Sequence, residues 1–203
     1  YVGGLFVFES KLTQEFRLHF DEKIAEMFQS IGIREGSVWI EVFHDGENYY
    51  FNEVGFRYGG SVSIYPVDYF YQINQVAADI HYALTGESCI SEHTSLIRST
   101  LPRKKYYCIY PVHINAGTIS SISGLDKIAQ LENIVYLATT KYLHDRIESS
   151  GSFSQVFALV HFVCNTTEEC IQTIDRIHQM LVVFDEHGNN MVNRMLDVGK
   201  IIF

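Results

Sequence analysis

No window of this 203-residue chain approaches the ~18 consecutive apolar residues of a membrane helix, so no membrane partner is expected. The strings H-E-x-x-H, G-x-S-x-G and G-x-x-x-x-G-K-[ST] are all missing, which removes the zinc-protease, esterase-elbow and P-loop readings that depend on them. The four cysteines, Cys89, Cys108, Cys164 and Cys170, never fall at C-x-x-C spacing, so neither a zinc ribbon nor a redox pair is indicated. Cys108 and Cys164 lie in apolar runs and read as buried thiols, which fits a reducing, cytoplasmic compartment. Basic residues are in short supply: 15 Lys and Arg against 24 Asp and Glu leave a formal charge of −9, the wrong sign for a nucleic-acid surface. A nucleotide pocket needs only local cations and is not excluded. The one basic cluster, Arg98 to Lys105, reads as a solvated linker. The opening residues, Tyr1-Val-Gly-Gly-Leu-Phe-Val-Phe8, lack an initiator Met and a basic n-region; they are expected to be the cut end of a longer chain rather than a signal peptide. The nine histidines are scattered, and His81, His113 and His161 read as structural residues.

What is present is an ordinary globular composition, 47% hydrophobic and 19% charged, sufficient for one large domain or two small ones. The most informative segment runs from Glu41 to Gly60. Val38–Phe43 and Tyr49–Val54 have strand composition, and His44-Asp-Gly-Glu-Asn48 between them carries the Asp-Gly turn signal. Alternation places Glu41 on a face with Trp39 and Phe43, and Glu53 with Phe51 and Tyr49. With an odd-length loop such as Gly46–Asn48, Glu41 and Glu53 fall directly opposite each other. Two carboxylates roughly 5 Å apart across a strand pair repel, so a cation between them is expected. A divalent metal with oxygen ligands answers that need. Arg57 adds a fixed cation nearby, and Gly59-Gly60 adds backbone that can approach a phosphate closely.

A glutamate on one strand, a Tyr/Phe-rich strand ending in Glu53-x-x-x-Arg57, and then Gly59-Gly60 together resemble the metal-binding end of the ATP-grasp ligases. That superfamily includes biotin carboxylase, carbamoyl-phosphate synthase and the L-amino acid ligases. The resemblance implies that Glu41 and Glu53 hold Mg²⁺ (or Mn²⁺) bridging the phosphates of ATP, with Arg57 as the catalytic cation. The pattern departs at Gly55, where the family has an asparagine that touches metal. Asn52 cannot stand in on a regular strand, because it points away from Glu53. The Gln-Val-Glu-His string that follows the arginine in biotin carboxylase is replaced by Tyr58-Gly-Gly-Ser-Val-Ser63, which favours the amino-acid-ligase branch. The implied activity joins a small carboxylate to an amine through an acyl phosphate. Alternatives are a biotin-carboxylase or carbamoyl-phosphate-synthase type reaction, and a non-catalytic ATP-grasp-derived binding module.

Weaker signals extend the resemblance. Leu12 to Ile31 reads as a helix, with Phe16, Phe20, Ile24, Met27 and Ile31 on one stripe, and Tyr69 to Leu84 as another, ended by Gly86. Thr100-Leu-Pro-Arg-Lys-Lys105 reads as a domain junction. Beyond it, Tyr106–Ile114 and Phe157–Val163 read as strands, and Val182–Gly188 as a strand and turn. Asn115–Asp126 resembles the glycine turn and short Gly-Leu-Asp helix that open the C-terminal domain of amino-acid ligases. Thr166–Leu181 reads as a helix with a Thr166/Glu169 capping box. The expectation is therefore α+β: residues 1–100 as the second lobe of an ATP-grasp domain, an antiparallel sheet with helices, and residues 101–203 as a small appended α+β domain. The lysine-bearing N-terminal half of the same protein would be the missing partner. A homodimer is compatible with this reading.

Overall fold

The computed structural model describes residues 4–60, 62–90, 105–194, 196, 197 and 201. The basic cluster at 98–105 and the junction at 100–105 fall, except for Lys105, outside the described residues. By contacts the chain forms two compact units, one of Tyr1–Thr13 with Pro102–Phe203 and the other of Gln14–Leu101.

In the first unit, β1 (Phe6–Phe8), β4 (Tyr106–His113), β8 (Val156–Cys164) and β6 (Ile134–Thr139) form an antiparallel sheet in the order β1-β4-β8-β6. A second antiparallel sheet has β5 (Gly117–Ser123) between β7 (Arg146–Ile147) and β9 (Val182–Asp185). Central β4 and β8 read as near-continuous apolar runs because they are buried along almost their whole length. The helix over this core, α5 (Thr167–Met180), buries Cys170, Thr173, Ile174, Ile177 and His178 on one stripe. Its start follows the capping logic: Thr166 Oγ1 accepts from the Glu169 amide at 3.2 Å, and Glu169 Oε2 accepts from the Asn165 amide at 2.6 Å. The short helix α4 (Leu125–Ala129) is entered through Gly124 at φ +95°, where an added Cβ would lie 1.9 Å from the Met180 carbonyl oxygen. Glycine is the only residue that fits there.

The second unit holds α1 (Lys11–Ser30) from Gln14 onward, the hairpin of β2 (Trp39–His44) and β3 (Tyr49–Gly55), α2 (Ile64–Tyr71) and α3 (Gln75–Thr85). The apolar stripe of α1 is not core: no residue of this helix is buried, and Met27 and Ile31 are exposed. Its attachment is aromatic, with the Phe16 and Phe20 rings 5.3–5.9 Å from those of Tyr49 and Phe51 on the hairpin. The single helix expected over Tyr69–Leu84 is two. Gln72 adopts φ +56° and ends α2, and Asn74 caps α3 by accepting from the Ala77 amide at 3.0 Å. Gly86 closes α3 in the left-handed conformation, as expected. Among the described residues no helix is long and apolar enough to cross a membrane.

Candidate metal and phosphate site

The hairpin is built from its turn outward. The Asp45 carboxylate accepts from the amides of Glu47 and Asn48 and from the Tyr50 hydroxyl, at 2.8–2.9 Å. These donors, the Asn48 and Glu47 amides first, hold its pKa down at about 2. With His44 paired to Tyr49, the connection is the four residues Asp45–Asn48, an even number. That length alone would put Glu41 out of register with Glu53. The structure nonetheless pairs them directly, because the register slips by one between Glu41 and Val42: Glu41 faces Glu53 while Val42 faces Phe51. The extra residue is Asn52, in a β-bulge.

The bulge corrects two expectations. Below it, Tyr49 and Phe51 share the face of Val42 and His44 and pack on α1; Glu53 lies on the opposite face, with Glu41. Glu53 therefore does not share a face with Phe51 and Tyr49. Asn52, expected to point away, reaches Glu41: its Nδ2 donates to Glu41 Oε1 at 2.5 Å. Three oxygen-bearing side chains thus come from one bulged pair, Glu41, Asn52 and Glu53. Among the described residues no ion pair is formed by either glutamate or by Arg57.

Arg57 lies on the same end of the hairpin. Its guanidinium carbon sits 5.1 Å from the centroid of the Trp39 ring, and Nη1 donates to the Tyr58 carbonyl at 2.9 Å. Gly55 pairs with Trp39, and the Arg57 side chain crosses the bare glycine: a Cβ there would touch Arg57 Cγ and Nε at 3.5 Å. Gly59 has a steric role too, since an added Cβ would fall 2.7 Å from Ser63 Oγ and 2.8 Å from Trp39 Cδ1. Trp39 is thus the platform against which the arginine and the glycine turn are set. The sequence singled out Glu41, Glu53 and Arg57; it missed Asn52, whose signal was the even Asp45–Asn48 loop, which requires a bulge if the glutamates are to pair.

No protein-family model matches the sequence, and no curated protein sequence does. Solved structures do. An L-amino acid ligase from Bacillus licheniformis superposes with a TM-score of 0.73 at 21% identity, over 92% of this chain and 45% of that one. A phosphoribosylglycinamide synthetase from Anaerococcus prevotii superposes at 0.71 and 13% identity, over 91% and 46%. The biotin carboxylase domain dimer of the Hydrogenobacter thermophilus 2-oxoglutarate carboxylase, solved with MgADP, ADP and bicarbonate, superposes at 0.63 and 13% identity, over 93% and 39%. All three are ATP-grasp enzymes. The chain therefore shares the fold of the matched part of these ATP-grasp enzymes, and it spans less than half of their length.

Proposed function

We propose that the bulged hairpin is the metal- and phosphate-binding end of an ATP-dependent carboxylate–amine ligase, a parent enzyme that forms an amide or peptide bond through an acyl phosphate. The observation that carries this reading is the direct pairing of Glu41 with Glu53, with Asn52 bulged onto Glu41, on an ATP-grasp fold. The donor set is all hard oxygen, which fits Mg²⁺ or Mn²⁺ and suits neither zinc nor copper. When bound, the ion would neutralise charge building on the transferred phosphoryl group.

The residues of the chain do the rest. Glu41 and Glu53 hold two negative charges together and so favour a divalent cation between them. Asn52 now donates to Glu41; a half-turn of its amide presents Oδ1 in place of Nδ2. That oxygen takes the part that Gly55 cannot play. Arg57, set beside the Trp39 ring, places a planar charge where an oxyanion forms as the amine attacks the acyl group. The division expected at residue 100 then assigns Gln14–Leu101 to the catalytic domain and Pro102–Phe203 to an appended domain; residues 1–13, expected with the former, go with the latter because β1 pairs with β4. ATP, a small carboxylate, an amine and the lysine-bearing lobe of the same protein are the partners, in the cytoplasm.

Calorimetric titration of Mg²⁺ and ADP into this chain, and turnover by protein that also carries the lysine-bearing lobe, test the reading. Glu53→Gln should lose metal-dependent ADP binding and rate together. Arg57→Lys should keep ADP binding and lose rate, because a point charge replaces a planar fork. Normal turnover by either variant would overturn the assignment and favour a non-catalytic module.

A further inference from the structure

Three thiols meet inside the unit of β4–β9, away from the hairpin. Cys108 is on β4, Cys164 ends β8, and Cys170 lies in α5. Their Sγ atoms all lie within 4.8 Å of one another, with Cys108 and Cys164 at 3.7 Å. All three residues are buried, at 0%, 3% and 0% exposure. A free cysteine in a core is commonly a small hydrophobe, inert and separate. Here three separate elements bring sulfur against sulfur, which aliphatic packing does not require.

The chemistry of that arrangement is specific. Thiolates are soft ligands that select ions such as Cu(I) over Mg²⁺ or Ca²⁺. A metal–sulfur bond of about 2.3 Å places the sulfurs of a trigonal centre about 4 Å apart. One separation is 3.7 Å and none exceeds 4.8 Å, so an ion can enter with sulfur movements below about 1 Å. Zinc in structural sites takes four ligands, and among the described residues no histidine or carboxylate joins the three sulfurs. A soft ion content with three ligands suits the group better.

Cys170 sits one turn in from the Thr166 cap, at the start of α5. There is also an approach route: Cys164 forms part of the wall of a cleft of about 630 Å³ that Asn165, Glu169 and Thr173 also line. We infer that Cys108, Cys164 and Cys170 form a trigonal all-sulfur site for copper(I). Binding displaces thiol protons, so affinity rises with pH. The occupied site clamps α5 onto β4 and β8, independently of any chemistry at the hairpin.

The test uses the Cys89→Ser chain, because Cys89 is exposed and would bind copper on its own account. The reduced protein is titrated anaerobically with Cu(I) against a colorimetric copper(I) chelator, following the ultraviolet thiolate-to-copper absorption. One equivalent should bind, and X-ray absorption of the complex should give a shell of three sulfurs. Adding Cys170→Ala should weaken binding at least 100-fold, with the metal-free thermal transition showing that this variant still folds. No stoichiometric uptake, or a shell containing nitrogen, oxygen or fewer than three sulfurs, overturns the site. The shell measurement needs no core substitution and decides the matter even if Cys170→Ala does not fold.

Discussion

Strands β4 and β8 are buried almost throughout, whereas no residue of α1, β2 or β3 is. One unit is held by a continuous apolar core that includes Phe157, Phe162, Ile174 and Ile177. The other is held by ring contacts, a hydrogen-bonded turn and a few buried side chains such as Phe70, Ile73 and Ala78. The residues proposed to bind metal are in the second. The proposed chemistry, which must admit a ligand and its phosphates, falls in the part with less buried surface, where local opening costs least. The sole tryptophan, Trp39, belongs to this part, so its fluorescence reports the hairpin unit by itself.

That difference can be broken or sharpened by measurement. Ile174→Ala empties a fully buried position and should cost about 3–4 kcal/mol. Amide hydrogen exchange in β4 and β8 should speed up while the Trp39 transition in denaturant stays; if the two move together, the units do not unfold separately. Phe20→Ala should do the reverse, shifting Trp39 fluorescence by about 1–2 kcal/mol, because only ring contacts on a half-exposed side chain are lost. Thr166→Ala removes the cap of α5 and should cost about 1 kcal/mol, read in the exchange of the α5 amides and not in Trp39 fluorescence.

Two pH effects are smaller and lie in different windows. The Asp45 carboxylate is held below its ordinary value of 3.8, at about 2, so it contributes stability above pH 3.8 that is lost as pH falls toward 2. Trp39 fluorescence should register this loss, and Asp45→Ala should abolish the dependence. His178 is buried in the other unit, with Nε2 at 2.6 Å from the Tyr110 hydroxyl; burial first, and then Arg194, lower its pKa from 6.5. The unfolded chain therefore binds more protons below pH 6.5, and stability should decline as pH falls through that region. Amide hydrogen exchange in β4 and β8 should show it and Trp39 should not.

Much of the architecture was legible in the residues. The apolar runs at Tyr106–Ile114 and Phe157–Val163 and the Thr166/Glu169 box predict β4, β8 and α5 because burial on both sheet faces and helix capping are local rules. The strand β5 was not legible. Gly117–Ser123 is polar and half-exposed, and a strand on that composition is made by its neighbours. The break between α2 and α3 was hidden for a related reason: the apolar stripe continues across Gln72, and only its left-handed backbone interrupts it.

At the candidate site the sequence by itself determined which groups are available: two glutamates, an arginine, a tryptophan and the glycines that let them approach. It also determined the turn, because Asp45 meets amides only two and three residues away. Tertiary structure decided the register. A strand alternates with period two, so one extra residue in β3 changes which side chains share a face, and nothing local states where it will be accommodated. The same holds for Cys108, Cys164 and Cys170. Their spacing carries no motif, and they meet only because strand pairing and the packing of α5 bring distant segments into one place.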